Sequence, residues 1–262
     1  MSTLLWIAGV CLGLSALVFV WQDRLLYFPA PATVEQVSRA GLRPWPSAQD
    51  FRGLVAEPQG AVRGTVIVFH GNAGHAGHRS FYADALAPLG LRVILAEYPG
   101  YGPRAGKPGE ASLVADASET VALAHGQYGG PLLLLGESLG AAVAAAAGER
   151  QRKLRAGLLL ITPWDRLANV ASHHYRWLPV RWLLRDSYDT SAGLSTFDRT
   201  VVVVIAEQDN IVPAHLGVAL HAALGGTKHL MKIAGGGHND WFDRVDAAWW
   251  RTATDLALGA GP

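Results

Sequence analysis

Residues 131–140 read PLLLLGESLG, an apolar run that ends in a serine flanked by two glycines. The run has the length and the near-continuous hydrophobicity of a strand that is buried on both faces. An alanine-rich segment with helical spacing follows as far as Glu149. Glycine on either side of Ser138 permits the tight, strained turn that lifts a side chain out of a sheet at a strand-to-helix junction. This stretch therefore predicts a nucleophilic serine at the start of a helix.

Similar apolar runs recur along the chain and alternate with longer segments of helical spacing. The runs cover residues 65–69, 91–96, 131–135, 156–161, 200–205 and 229–233. The helical segments cover residues 81–89, 111–128, 138–149, 214–224 and 240–258. Strand and helix in alternation predict an α/β fold, with a mostly parallel sheet flanked by helices on both faces. In such folds the ligand site lies at the carboxyl ends of the strands.

Polar residues that suit acyl transfer follow several of these predicted strands. A serine hydroxyl is a poor nucleophile until a neighbouring base removes its proton, and we expect His238 to be that base for Ser138. Asp209 follows the preceding strand, and its carboxylate would fix the tautomer of the imidazole. The backbone N–H groups of Asn72 and Leu139 would bind the oxyanion that forms during attack. The sequence thus predicts a catalytic triad with an oxyanion hole.

Some of these assignments have competitors. Asp165 also follows a predicted strand, but its position suits the cap of the next helix, whereas Asp209 lies directly before the histidine strand. His75 and His78 invite a metal interpretation, but they lack acidic or cysteine companions at the spacing of a zinc site. Residues 106–108, Gly-Lys-Pro, lack the Ser or Thr and the upstream glycine of a phosphate loop. We therefore expect neither a metal nor a nucleotide cofactor.

Five motifs together resemble the pattern of the α/β-hydrolase superfamily. They are HGNAG at 70–74, EYPGYG at 97–102, GESLG at 136–140, D-x-x-VP at 209–213 and GGGH at 235–238. The resemblance covers roughly residues 50–260. Within the superfamily, the set of motifs is similar to that of a small, N-terminally membrane-anchored branch with a prolyl-oligopeptidase-like or serine-aminopeptidase-like core. It implies a serine hydrolase without metal or organic cofactor. It also implies the same triad and oxyanion positions, which are Ser138, Asp209, His238, Asn72 and Leu139.

At the N-terminus, residues 4–21 read LLWIAGVCLGLSALVFVW and carry no charge. A helix of this length covers nearly all of a hydrocarbon core of about 30 Å, and Trp6 and Trp21 have the positions of interfacial anchors. We therefore expect a single-pass transmembrane anchor over residues 1–23, a tether over 24–48 and a hydrolase domain over 49–262. A cleaved signal peptide is the alternative, although the first three residues carry no Lys or Arg. The side of the membrane and the oligomeric state stay open.

Residues 163–194 form a long connection rich in aromatic side chains, which we interpret as a short lid. Trp164 and Tyr175 of this segment, together with Tyr101, are candidate substrate contacts. Aromatic walls around the serine would favour an apolar acyl or aryl group. The same residues could instead pack the lid onto the sheet.

The composition excludes several other classes of protein. The chain has 262 residues, of which 50% are hydrophobic, so it is long and apolar enough to bury one core. Its 22 basic and 21 acidic residues give a net charge of +1 without a basic run, which argues against nucleic acid as a partner. The one cysteine excludes an internal disulfide framework and a zinc ribbon.

The motifs and the composition together predict a membrane-anchored serine hydrolase that cleaves carboxylic esters or thioesters through an acyl-enzyme intermediate. Its partners would be a small ester, thioester or acyl substrate and, through the N-terminal helix, a membrane. Two alternatives use the same triad, namely a serine peptidase or amidase and an acyltransferase. Another alternative belongs to a different class: a hydrolase fold without activity that serves as a membrane-bound binding or scaffolding module.

Overall fold

The computed structural model describes residues 2–259, and its strands are β1 (Phe28–Pro29), β2 (Arg43–Pro46), β3 (Phe51–Ala56), β4 (Gly64–Phe69), β5 (Ala73–Gly74), β6 (Leu91–Ala96), β7 (Leu132–Glu137), β8 (Gly157–Ile161), β9 (Val201–Ala206) and β10 (Lys228–Ile233). Eight of them form one sheet in the order β10-β9-β8-β7-β4-β6-β3-β2. β3 pairs antiparallel with β2 and β6, and the other neighbours in this sheet are parallel. β1 and β5 form a separate two-stranded parallel ladder. The predicted mostly parallel sheet is therefore confirmed.

Helices cover both faces of the sheet. They are α1 (Ser2–Leu26), α2 (Val34–Val37), α3 (Ser80–Leu86), α4 (Glu110–Tyr128), α5 (Leu139–Arg150), α6 (Leu167–His174), α7 (Val180–Leu183), α8 (Thr190–Leu194), α9 (Ala214–Ala223) and α10 (Ala247–Leu258). Residues of α4, α5 and α9 share one buried cluster, and residues of α3 and α10 share the other. The sheet thus lies between two apolar layers, as the alternation of strands and helices predicts.

Alternate residues of one strand explain why the apolar runs are continuous. In β4, Ile67 and Phe69 pack in the cluster with α4 and α5, whereas Val66 and Val68 pack in the cluster with α3 and α10. Side chains alternate between the two faces of a sheet along a strand. A strand covered on both faces therefore needs apolar side chains at every position, and β4 reads GTVIVF with all six residues buried.

Two strands carry no such signal in the sequence. β2 reads RPWP, and its prolines are tolerated because β2 is the last strand at one edge of the sheet. The prolines of residues 24–48 predict an extended tether, and the structure includes 43–46 of that range in the sheet. In β3, a side chain at Gly53 would collide with the carbonyl oxygen of Leu95. Glycine at this position permits the close approach of the strands but breaks the apolar pattern.

The prediction of a transmembrane anchor, and with it a membrane location, is wrong. Among residues 2–259, no helix combines the length and the apolar character needed to cross a membrane. The residues 4–21 do lie in a helix, but α1 extends to Leu26 and its last turns carry polar groups that bind the lid. The side-chain amide of Gln22 donates to the carbonyl oxygen of Leu183 at 3.0 Å and accepts from the N–H of Arg185 at 2.7 Å. Asp23 forms an ion pair with Arg185.

The lid segment, residues 163–194, contains α6, α7 and α8. α6 and α7 pack against each other, and α7 also contacts α1. The N-terminal helix and the lid therefore lie together on the side of the sheet where the candidate site is found.

Candidate active site

Ser138 lies on a strained turn between β7 and α5. Its backbone has φ of 55° and ψ of −116°, a conformation that residues other than glycine rarely adopt. A side chain at Gly136 would collide with the backbone of Gly140 and Ala141, and a side chain at Gly140 would collide with the carbonyl oxygen of Phe69. Both flanking glycines are therefore required by the space around the turn.

The structure brings Ser138, His238 and Asp209 together from three different strand ends. The Ser138 hydroxyl lies 3.0 Å from Nε2 of His238, which follows β10. Nδ1 of the same ring lies 2.7 Å from Oδ2 of Asp209, which follows β9. In the tautomer that satisfies both bonds, Nδ1–H donates to the carboxylate and Nε2 accepts from the hydroxyl.

The loop after β9 fixes the carboxylate of Asp209. Oδ1 accepts hydrogen bonds from the N–H groups of Ile211 at 2.9 Å and Val212 at 2.7 Å, and the side chain is 1% exposed. These bonds leave Oδ2 to face His238. The competitor Asp165 has other partners: it accepts from the N–H of Arg166 and from the side-chain amide of Asn169.

A second turn holds the loop that carries His238. The N–H of Gly237 donates to Oδ1 of Asp240 at 2.6 Å, and Gly235 has a φ of 63°. The bond from Gly237, followed by the nearby Arg244, lowers the pKa of Asp240, so its carboxylate stays charged and keeps accepting this bond. The histidine therefore projects from a short, tied loop.

The two backbone donors expected in an oxyanion hole lie beside the serine. Asn72 and Leu139 line the same cavity as Ser138 and His238. Within residues 2–259, neither the N–H of Asn72 nor that of Leu139 has an acceptor of its own. Leu139 is the first residue of α5, where N–H groups are free of helical bonds and favour negative charge. Two residues with free backbone donors thus line the cavity that contains Ser138.

Asn72 is held in place by bonds from three directions. Its side-chain amide donates to the carbonyl oxygen of Leu26 at 2.9 Å. Its own carbonyl oxygen accepts from the N–H of Phe28 at 2.9 Å and from the hydroxyl of Tyr101 at 2.8 Å. The β1–β5 ladder, in which Phe28 pairs with Ala73, continues this attachment.

The three aromatic residues expected to contact substrate lie in different places. Trp164 lines the cavity beside Ser138 and is 4% exposed. Tyr101 is fully buried and binds the loop that carries Asn72, and burial raises the pKa of its phenol, so it remains a hydrogen-bond donor. Tyr175 is 48% exposed and lines a neighbouring cavity. Of the three, the cavity beside the serine includes Trp164 alone.

His70 lies at the start of the loop that carries Asn72, and its buried ring helps to hold that loop. Nε2 of its buried ring lies 3.0 Å from Oε1 of Glu97, and Nδ1 lies 2.7 Å from the carbonyl oxygen of Gly71. Oε2 of Glu97 accepts from the N–H of Ala76 at 2.9 Å, and the hydroxyl of Tyr98 donates to the carbonyl oxygen of His70. With both ring nitrogens bound inside the protein, His70 has a structural place in this network.

The cavity around Ser138 has a volume of about 410 Å³, and we call it the serine cavity. One part of its lining is aliphatic and includes Leu26, Leu167 and Val170. Another part carries Arg79 and Glu137, which the sequence did not single out.

Arg79 and Glu137 form a partly buried ion pair. Nε of Arg79 lies 3.2 Å from Oε2 of Glu137, which also accepts from the hydroxyl of Tyr82 at 2.9 Å. Burial, followed by the negative charge of Glu137, raises the pKa of Tyr82. No local sequence motif identifies Arg79 as a cavity residue, because its partner Glu137 lies on a strand 58 positions later in the chain.

A metal site has no support in the described part of the chain. The rings of His75 and His78 stack with centroids 3.6 Å apart. Among residues 2–259, no group of three or more His, Cys, Asp or Glu side chains is placed to hold a metal ion.

Comparison with known proteins identifies the family. The family model described as serine aminopeptidase S33, Hydrolase_4, matches residues 60–190, which is half of the chain. The protein Rv2307c of Mycobacterium tuberculosis, described as uncharacterized, is 36% identical over 243 residues, covering 86% of this chain and 83% of that protein. The lysophosphatidylserine lipase ABHD12 of Gallus gallus is 30% identical over 182 residues, covering 62% of this chain and 48% of the lipase.

Solved structures agree with the family at the level of the fold. The monoacylglycerol lipase of Paleococcus ferrophilus superposes with a TM-score of 0.59 at 17% identity, over 79% of this chain and 98% of that one. The sheet, the strained serine turn and the family match lead to the same conclusion: the chain belongs to the serine aminopeptidase S33 family of the α/β-hydrolase superfamily and is a serine hydrolase.

Proposed function

We propose that this serine hydrolase cleaves carboxylic esters, with thioesters as related substrates, through an acyl-enzyme on Ser138. The observation that carries the proposal is the continuous hydrogen-bond chain from the Ser138 hydroxyl through His238 to Asp209, with bonds of 3.0 and 2.7 Å. Such a chain gives the serine a base and gives the base an orienting carboxylate.

The proposed reaction has two halves. In the first, His238 Nε2 takes the proton of Ser138 as Oγ forms a bond to the acyl carbon, and the negative oxygen is bound by the N–H groups of Asn72 and Leu139. The ester C–O bond then breaks, and the leaving alcohol takes the proton back from His238. In the second half, water repeats the attack with the same base, which releases the acid and restores Ser138.

Esters are favoured over peptides with a free N-terminus by the charges in the serine cavity. A free ammonium group needs an unpaired carboxylate, but Glu137, the one carboxylate in the described lining, is already bound by Arg79 and Tyr82. The names of two relatives, a monoacylglycerol lipase and a lysophosphatidylserine lipase, also refer to ester substrates. These are properties of the relatives and support the substrate class proposed here.

A fluorophosphonate probe tests the nucleophile directly, because it reacts with serines that have an activated hydroxyl. We expect labelling of the wild type at Ser138, established by peptide mapping, together with hydrolysis of p-nitrophenyl acetate or butyrate. Ser138→Ala should abolish both. Ser195→Ala, at an exposed serine outside the serine cavity, is the matched control and should keep both. A folded wild type without labelling, or a Ser138→Ala variant that retains hydrolysis, would refute the proposal.

A further inference from the structure

A second cavity adjoins the serine cavity on its aliphatic side. It lies between helix α1 and the lid and has a volume of about 190 Å³; we call it the α1–lid cavity. Leu26, Leu167 and Val170 line both cavities, so these three side chains form the boundary between the two spaces. Displacement of these side chains by a ligand would join the two cavities.

The walls of the α1–lid cavity come from two distant parts of the chain. Val18 and Leu25 of α1 line one side. The other side is lined by Ala171 of α6, by Leu178 and by Val180, the first residue of α7. The wall supplied by α1 precedes residues 60–190, the part of the chain that the family model matches.

Three of the polar side chains at the border of this cavity, Gln22, Asp23 and His174, already have partners. The side chain of Gln22 binds the backbone of Leu183 and Arg185, and Asp23 pairs with the guanidinium of Arg185. Nε2–H of His174 donates to the carbonyl oxygen of Ile211 at 2.8 Å. The rest of the lining is mainly hydrocarbon, which suits an apolar group of a ligand.

We propose that the α1–lid cavity binds the acyl chain of the substrate and that the N-terminal helix is one wall of this subsite. The inference rests on the proposed ester hydrolysis and deepens it, because it assigns esters of medium or long unbranched fatty acids as the substrate class. With the acyl carbon at Ser138, the chain passes Leu26, Leu167 and Val170 into the gap. The alcohol then remains on the side of the serine cavity that carries Arg79 and Glu137.

Transfer of a methylene group from water into an apolar site gives about a fourfold gain in binding, and interactions retained in the transition state raise kcat/KM. Lengthening the acyl chain should therefore raise kcat/KM step by step until the α1–lid cavity is filled. If the serine cavity alone held the substrate, Val18 of α1, which does not line that cavity, would have no influence on this dependence.

The experiment measures kcat/KM for p-nitrophenyl esters from acetate to dodecanoate, below their micelle concentrations, with the full chain. The wild type should prefer longer chains. Val18→Trp, which fills the cavity from α1, should lower the ratio of kcat/KM for decanoate to that for acetate by about tenfold or more. Ala171→Phe, from the opposite wall, should do the same. Leu17→Trp adds the same side chain to the exposed face of α1 and should leave the ratio as in the wild type.

The outcomes separate this inference from the proposed function. Hydrolysis of short and long esters with equal efficiency, or an unchanged ratio in both Val18→Trp and Ala171→Phe, would overturn the acyl subsite while ester hydrolysis stands. A wild type that hydrolyses none of the esters would overturn the proposed function itself. A lowered ratio in Leu17→Trp as large as that in Val18→Trp would mean that α1 acts through folding rather than as a wall, which also overturns the inference.

Discussion

The side-chain amide of Asn72 donates a hydrogen bond to the carbonyl oxygen of Leu26, 46 positions earlier in the chain. Leu26 is the last residue of α1, and Asn72 carries one of the two backbone N–H groups proposed for the oxyanion hole. A bond at the free carbonyl end of a helix satisfies an acceptor that the helix itself cannot use. The same bond ties the end of α1 to the loop that lines the serine cavity.

This relationship predicts that the side chain of Asn72 positions the oxyanion donor. Asn72→Ala keeps the backbone N–H but removes the bond to Leu26. We expect kcat to fall about 10-fold with little change in KM, a smaller effect than the roughly 10²-fold to 10³-fold loss seen when a donor is removed outright. Steady-state kinetics with p-nitrophenyl butyrate measure the split. Asn169→Ala, which removes a side-chain amide bound to Asp165 in the lid, is the control and should leave kcat nearly unchanged. Equal losses in the two variants would contradict the prediction.

A second prediction concerns the carboxylate that orients His238. Asp209→Asn replaces an acceptor of the Nδ1–H bond by an amide, which favours the wrong tautomer of the ring. We expect kcat to fall by about 10⁴-fold, the loss typical of this change in a serine triad. Asp165→Asn is the matched control, because Asp165 also follows a strand but binds Arg166 and Asn169 instead of the histidine. A larger loss of kcat in Asp165→Asn would reverse the assignment of the acid.

A third prediction concerns stability and the serine turn. The added methyl group of Gly140→Ala would meet the carbonyl oxygen of Phe69, a backbone atom that cannot rotate away. We expect the free energy of unfolding to fall by about 3 kcal/mol or more. In Gly126→Ala, near the end of α4, the methyl group has nothing within 4 Å, and the helix should gain up to about 1 kcal/mol. Urea unfolding of both variants tests the contrast, and similar unfolding free energies would contradict it.

A fourth prediction follows from the surroundings of His75. Burial, and next the neighbouring His78, lower the pKa of His75 in the folded protein. The unfolded chain therefore binds this proton at higher pH, and the contribution of His75 to stability is complete above about pH 6.5 and is lost as the pH falls through the folded pKa. His75→Gln should accordingly lose less stability than the wild type when the pH is lowered from about 7.5 to 5.5.

The measurement for His75 is the free energy of unfolding in urea at both pH values. His173→Gln, at an exposed histidine of α6, serves as the control. A wild type and a His75→Gln variant with the same pH dependence would show that this side chain is not the source of the effect.

The sequence was informative wherever one local property decides the structure. The strands at 65–69, 91–96, 131–135, 156–161 and 200–205 are apolar because both of their faces are covered, so composition alone identifies them. Gly136, Ser138 and Gly140 predict the strained turn, since glycine is needed where a Cβ has no room. The order of the polar residues after the strands also indicates which acid and which histidine meet the serine, because carboxyl ends of parallel strands share one edge of the sheet.

The sequence failed where several elements must meet. The apolar residues 4–21 led to a wrong prediction of a transmembrane anchor, since no helix among residues 2–259 is long and apolar enough to cross a membrane. Tyr101 and Tyr175 are aromatic residues near predicted loops, but nothing local distinguishes a residue under the oxyanion loop from one at a second cavity. β2 has prolines that are acceptable only because it is an edge strand, a fact about the whole sheet.

The chain by itself thus predicted the strands β4 and β6 to β10, the helices α3, α4, α5, α9 and α10, the serine turn, and which acid and histidine to expect beside that turn. Tertiary structure alone decided that Leu26 holds Asn72, that Gln22 binds a lid backbone 161 positions later, and that α1 and the lid enclose an apolar cavity next to Ser138. The physical reason is range: periodicity and turn chemistry act over a few residues, whereas these contacts depend on the packing of elements from opposite ends of the chain.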